Sequence, residues 1–225
     1  MLADVPSPID LRRMEDARQW AESAMSKRPW RTEFFAAFAR LIGSASASRV
    51  LELGSGPGFL AEHLLRSNAT LRYVALDFSS AMHELAAQRL GELAGRVQFV
   101  ERSFHESAWP EGLGQFEFVV TNQAVHELRH KRHAPVLHAQ VKQVLCPGGA
   151  YLVCDHFFGE GGMSNDQLYM SVAEQKQALL GAGFGDVEQV MLKGGLVLHH
   201  ATYYDDTKLT KQEYTPYVAY RHTLE

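Results

Sequence analysis

Gly54, Gly56 and Gly58 stand at alternate positions in the stretch VLELGSGPGFLAEHLL, between an apolar run and an amphipathic one. Glycine in such a turn reaches backbone conformations that a Cβ forbids, and it lets a ligand lie against the chain. A helix that starts there adds the positive end of its dipole. Asp77 follows 19 residues after Gly58, closing a second apolar run, LRYVAL. A carboxylate in that place accepts hydrogen bonds from ribose hydroxyls. Together, glycine loop and acid point to a nucleoside-bearing cofactor. The spacing differs from the Gly-x-Gly-x-x-Gly of dinucleotide enzymes, and the Gly-Lys-Ser/Thr of a phosphate loop is absent. The bland alternative is a tight turn with a solvated aspartate.

Histidine is the second chemistry-bearing type, with eleven in 225 residues. It titrates near neutral pH and suits proton abstraction. His126 lies four residues past Asn122, and Asp155-His156 closes a later apolar run. His126, Asp155 and His156 are the candidate catalytic residues; packing and capping are the competing roles. Glu127 adjoins His126 and could orient it, although adjacent side chains on a helix diverge. His126, His130 and His133 would share a face if their segment were helical, and Asp155 or His156 could then complete a divalent-metal set. Pro135 and the interleaved Arg129, Lys131 and Arg132 oppose this, so no metal is expected. Arg28, Trp30, Arg31, Phe34 and Phe35 form an aromatic-cationic group whose arginine could hold an anionic substrate or a cofactor carboxylate, or which simply packs on a sheet. Tyr203, Tyr204 and Tyr214 are candidate pocket walls.

The elements that must position these residues alternate. Apolar runs predict strands at 50–53, 71–76, 96–100, 116–120 and 151–154, with helices between them. Ser171 and Glu174 have the spacing of a capping box. Strands at 187–192 and 196–203 are joined by Lys193-Gly194-Gly195, too short for a parallel crossover, so they form an antiparallel hairpin. The fold expected is α/β: a doubly wound, Rossmann-like, seven-stranded, mostly parallel sheet with a C-terminal antiparallel hairpin and a helical N-terminal lid. The divisions are a lid segment at 1–45, the main domain at 46–204 and a tail at 205–225, all one globular unit.

The run Glu52-Leu53-Gly54-Ser55-Gly56-Pro57-Gly58 resembles the signature of the class I S-adenosylmethionine-dependent methyltransferases. Ala75-Leu76-Asp77, FEFVVTNQAVHEL at 116–128, Leu145-Cys146-Pro147-Gly148-Gly149, Gly181-Ala182-Gly183-Phe184 and the terminal hairpin continue the resemblance over roughly residues 30–204. It implies S-adenosyl-L-methionine as cofactor, with S-adenosyl-L-homocysteine as product. Gly54, Gly56 and Gly58, with Ser55, would approach its methionine and ribose, and Glu52 would orient the loop or reach the amino group. Asp77 would hold the ribose and Phe78 would flank the adenine. Asn122 would offer its carbonyl near the ammonium. Where the family often has an acidic residue followed by a small one, this chain has Arg102-Ser103-Phe104; Ser103 could still meet the adenine, with Phe104 beside it.

The expected activity is methyl transfer to a small-molecule acceptor, oxygen before nitrogen or carbon. The rivals are a cofactor-binding module without turnover and a nicotinamide-dependent oxidoreductase. With 22 basic and 26 acidic residues and no basic stripe, a nucleic-acid partner is not expected. No run of about 18 apolar residues suggests a membrane span. Two cysteines do not make a disulfide scaffold, and a cytoplasmic location is expected. The sequence leaves the oligomeric state open.

Overall fold

The computed structural model describes residues 3–43 and 48–204. Residues 1–2, 44–47 and 205–225, with Tyr214, lie outside them. Five strands, β1 (Arg49–Leu53), β2 (Arg72–Asp77), β3 (Val97–Glu101), β4 (Phe116–Asn122) and β5 (Leu145–His156), run parallel. β7 (Leu196–Thr202) lies antiparallel between β5 and β6 (Asp186–Lys193). The order across the sheet is β3-β2-β1-β4-β5-β7-β6. It reverses between β1 and β4, and the crevice at their carboxyl ends is where ligands of such sheets bind.

β1 is central and its residues 50–53 are buried on both faces, so they read as Val-Leu-Glu-Leu, apolar but for the buried Glu52, rather than as an alternation. Leu51 and Leu53 join a core on one face, beside α5 (Ala134–Val141) and α6 (Val172–Gly181). Val50 joins the other core, with α2 (Arg31–Ile42) and α3 (Phe59–Ser67). Ser79 caps α4 (Ser80–Leu90) by accepting from the Met82 amide at 3.1 Å. The Ser171–Glu174 capping box forms at the start of α6. Gly194 and Gly195 carry φ of +57° and +78° in the hairpin turn, which a two-residue loop of this kind requires. A Cβ on Gly194 would lie 2.2 Å from the Trp30 indole, so that ring packs closely on the turn.

β5 departs from expectation. Read as starting at 151 after a Pro-Gly-Gly turn, it starts at Leu145 opposite Phe116 and resumes at Ala150 opposite Phe118. The extra residues form a bulge, and a Cβ on Gly149 would lie 2.9 Å from the carbonyl oxygens of Cys146 and Glu117. At its other end β5 takes in Asp155 and His156, so both sit on a fixed strand rather than in the loop beyond it.

Residues 3–43 divide among three neighbours. Residues 3–13 are not helical. The Val5 amide donates to the Arg129 carbonyl at 2.8 Å, and the Arg129 guanidinium donates to the Val5 and Pro6 carbonyls at 2.9 and 2.7 Å. The Ser79 hydroxyl donates to the Leu11 carbonyl. α1 (Met14–Lys27) packs Ala17 on Ala81 and Met82 of α4. α2 instead buries Phe34 and Phe38 in the core of the sheet.

Candidate active site

A cavity of about 220 Å³ opens at the carboxyl ends of β1 and β4. The glycine loop forms its floor, Asp77 and Phe78 one end, Asn122 and His126 the other, and Trp20, Arg28 and Arg31 its roof. The three glycines do different work. A Cβ on Gly54 would lie 2.4 Å from that of Ala124, and one on Gly58 3.1 Å from that of Ala86. Gly56 has φ of +53° with nothing within 4 Å of its missing Cβ. Two glycines thus let protein elements approach, and only Gly56 leaves room for an external ligand.

Asp77 already holds this loop. Its carboxylate accepts from the Gly56 amide at 2.8 Å and the Ser79 amide at 3.0 Å. Burial raises its pKa to about 6, against the pull of those donors. Glu52 does not orient the loop by contact: its carboxyl accepts from the Tyr73 hydroxyl at 2.8 Å. Burial pushes its pKa to about 8. The Asn122 Oδ1 and Ser55 Oγ are buried at the site without protein partners, as polar atoms awaiting a ligand would be.

His126 is held from three sides. Its Nδ1 lies 2.7 Å from Asp155 Oδ1, and its own amide donates to Asp155 Oδ2 at 2.8 Å. An ionised carboxylate only accepts, so Nδ1 carries a proton. Its Nε2 lies 3.3 Å from Glu127 Oε1. Adjacent side chains converge here because Val125–Leu128 is a 3₁₀ turn, not an α-helix. Burial alone would lower the His126 pKa; Asp155, then Glu127, reverse this and carry it to about 10. Asp155 is pushed up by burial but pulled further down by His126, to a net value below the ordinary range. The His156 ring stands edge-on to His126 at 5.2 Å and is itself driven by burial to a pKa of about 4.

Residues 50–149 match the model of a methyltransferase domain. That match runs from β1 into the start of β5 and takes in the glycine loop and Asp77. No curated protein matches the chain. Among solved structures, an O-methyltransferase family protein from Burkholderia thailandensis is similar at 20% identity and TM-score 0.71, covering 85% of this chain and 61% of that one. Human N-acetylserotonin methyltransferase, solved with S-adenosylmethionine, is similar at 15% identity and TM-score 0.68, covering 87% and 58%. This chain thus spans about three fifths of their length. A chain from the complex of a Haloferax volcanii methyltransferase with the Trm112 methyltransferase activator is similar at 17% and TM-score 0.66, covering 89% of this chain and 100% of that one.

The fold brings most of the expected site residues together, with corrections. Glu52, Gly54, Ser55, Gly56, Asp77, Phe78, Phe104, Asn122, His126 and His156 all line the cavity. Gly58, Ser103 and Asp155 are not among the residues that form its wall. Gly58 caps α3 and packs on α4. Ser103 lines a neighbouring groove beside residues 7–13, where its hydroxyl accepts from the His105 amide. Asp155 stands behind His126, a positioning residue rather than a cavity wall. His130 and His133 turn away from His126, because Arg129 in the left-handed region, φ +62°, separates two 3₁₀ turns. Among the described residues no group of three His, Cys, Asp or Glu side chains could hold a metal. Tyr203 packs on a hydrophobic core and under Lys142, and Tyr204 on Gly185, both away from the cavity. The sequence reasoning missed Tyr169, 5.5 Å from His126 and brought there by the glycine-rich loop after β5, and Gln123, whose φ of +60° no residue pattern announced.

Proposed function

We propose that this chain transfers the methyl group of S-adenosylmethionine to a small-molecule acceptor, oxygen before nitrogen or carbon, with His126 as the base. The observation that carries the reading is His126, fixed by Asp155 at 2.7 Å, in the same cavity as the Gly54–Gly56 floor and Asp77. The cavity suits the cofactor: Gly56 is open, and Asn122 and Ser55 offer unpartnered polar atoms. When bound, the cofactor supplies a methyl group on an already activated sulfonium. What remains for the protein is to orient, exclude water and take a proton. Asp77 would hold ribose hydroxyls with its remaining acceptor capacity. Residues 1–45 would serve as the cover, α1 over the cavity and α2 anchoring it on the sheet. The likeness to an O-methyltransferase family protein supports oxygen as acceptor. Two free cysteines suit a reducing, cytoplasmic compartment.

His126 accepts a proton only in its neutral form, with Nε2 released by Glu127. A hydroxyl acceptor approaching Nε2 would displace that carboxylate. The rate should therefore rise with pH through neutrality. The engaged, charged state also favours a second reading, a cofactor-binding module without turnover. Both are tested by titrating the purified protein with S-adenosylhomocysteine, S-adenosylmethionine and NAD, then screening hydroxylated small molecules for methyl transfer. Micromolar binding of S-adenosyl compounds with turnover that His126→Gln abolishes supports the first reading. Binding without turnover across the screen supports the second. Binding of NAD alone overturns both.

A further inference from the structure

Behind His126 lies a second void, of about 10 Å³. His126 and His156 stand between it and the main cavity and line both. Its charged and titratable neighbours are His126 and Lys131 on the 3₁₀ turns, His138 on α5, Asp155 and His156 on β5, and Tyr169 on the loop before α6. Lys131 is taken up by Glu174 at 2.7 Å. From α6 comes an uncharged amide, Gln175. His138, Gln175 and Asp155 are 1%, 3% and 4% exposed. Three polar atoms of these residues are buried without a hydrogen-bond partner among the described residues: His138 Nδ1, His156 Nδ1 and Gln175 Oε1. Orphaned atoms of this kind are costly and uncommon. Turning the Gln175 amide round does not help. Its Nε2 donates to the His156 carbonyl at 2.8 Å and lies 3.4 Å from that of Met170, so the reversed amide would set oxygen against oxygen.

A void of this size has room for one water, and a buried water needs two to four polar partners. Water brings two hydrogens and two lone pairs. It can donate to Gln175 Oε1 and to Asp155, whose Oδ2 receives the His126 amide and keeps a lone pair. It can accept from the Nδ1–H groups of His138 and His156. We propose that one internal water is seated here, and that His138 and Gln175 act through it as positioning residues for Asp155, the carboxylate that fixes His126. The site stands on the void and its orphaned atoms; its bearing on turnover rests on the methyl-transfer reading. Magnitude separates positioning from proton relay. Burial drives His138 and His156 to about 4, while Asp155 and Glu127 carry His126 to about 10. A proton on His126 would climb about six pH units to rest on either ring, so it leaves by the Nε2 side instead.

The test is nuclear magnetic resonance on the isotope-labelled full chain. Wild type should show cross-peaks between water and the methyl groups of Val125 and Leu179, which line the void and are buried. This needs no variant, so it stands should a variant fail to fold. His138→Leu and Gln175→Leu should lose the cross-peaks. They should also move the His126 Nδ1–H resonance downfield, because Asp155 without the water's hydrogen bond pulls harder on that proton. His138→Gln keeps an N–H donor and should restore both signals. His199→Leu removes another buried, unpartnered histidine, one outside the void, and should change neither. Absence of the cross-peaks from wild type overturns the site. An equal displacement of the resonance by His199→Leu does so too, since it marks loosened packing. On an acceptor that wild type methylates, the two leucine variants should lose kcat about tenfold at unchanged KM, the rate equivalent of one hydrogen bond; unchanged kcat overturns the positioning role. Cross-peaks in a wild type that methylates no acceptor count against the methyl-transfer reading and uphold the water site.

Discussion

Replacing Asp155 with asparagine keeps the side chain's shape and removes the charge that fixes His126. Both side chains are buried, at 13% exposure for His126 and 6% for Asp155. Removing one partner of a buried ion pair costs about 3–5 kcal/mol, because the remaining charge is left uncompensated. The proton tells the same story. A fall from about 10 to an ordinary value near 6.5 is worth about 4–5 kcal/mol at about 1.36 kcal/mol per pH unit. Asparagine can still accept from the His126 amide, so the lower end applies. The sign follows from linkage. The folded pKa of His126 lies above its unfolded value, so the pair stabilises the fold fully below about pH 6.5 and loses that contribution as pH rises toward 10. Urea unfolding of wild type should show stability declining across that window. Asp155→Asn should be less stable by about 3 kcal/mol at pH 6.5 and should lack the decline. The histidine proton resonances, assigned by comparison with His126→Gln, should move to a much lower titration midpoint. An unchanged slope, or a loss under about 1 kcal/mol at pH 6.5, would refute the idea that this pair is ionised in the fold.

Asp77→Ala should weaken S-adenosylhomocysteine binding by about 1.5–3 kcal/mol, and in wild type the affinity should fall as pH drops through about 6, where the buried acid takes up its proton; calorimetric titration at pH 5 and 7.5 reads both. Gly56→Ala forces a Cβ into the left-handed region at about 1–2 kcal/mol and puts it into the open floor of the cavity. It should therefore reduce nucleoside affinity more than thermal stability, while Gly54→Ala, which collides with Ala124, should do the reverse. Tyr73→Phe leaves the Glu52 carboxyl without its hydroxyl partner and should cost about 1–3 kcal/mol of unfolding free energy with the sheet intact by circular dichroism. Gly194→Ala should destabilise by more than about 1 kcal/mol, since it strains a turn at φ +57° and strikes the Trp30 ring.

The fold was legible because its parts are periodic. Each buried parallel strand announces itself as an apolar run, and Ser79, Ser171 and the paired glycines of the hairpin punctuate them. β5 was misjudged because a bulge reads like a turn: Pro147-Gly148-Gly149 breaks the apolar run without ending the strand. At the site, Asp77 and the glycine loop were legible from spacing, since one crossover carries both. His126 and Asp155 could be named but not paired. They lie 29 residues apart, and only the neighbouring of β4 and β5 joins them. Glu127 could orient His126 by adjacency, an α-helix would make the two side chains diverge, and a 3₁₀ turn brings them together. Gln123 and Tyr169 carry no pattern at all, since loop conformation alone places them.

The segment at 3–13 lines a groove beside the site, reaches the cavity at Leu11, and is fastened at two points, by Arg129 on Val5 and Pro6 and by Ser79 on Leu11. Ser79 is also the residue whose amide donates to Asp77, and Arg129 is ion-paired to Glu127. The strap is thus tied to the two acids that flank the cavity floor. Ser79 and Arg129 are therefore shared: whatever alters Asp77 or Glu127 reaches residues 3–13 through the same two side chains that hold them.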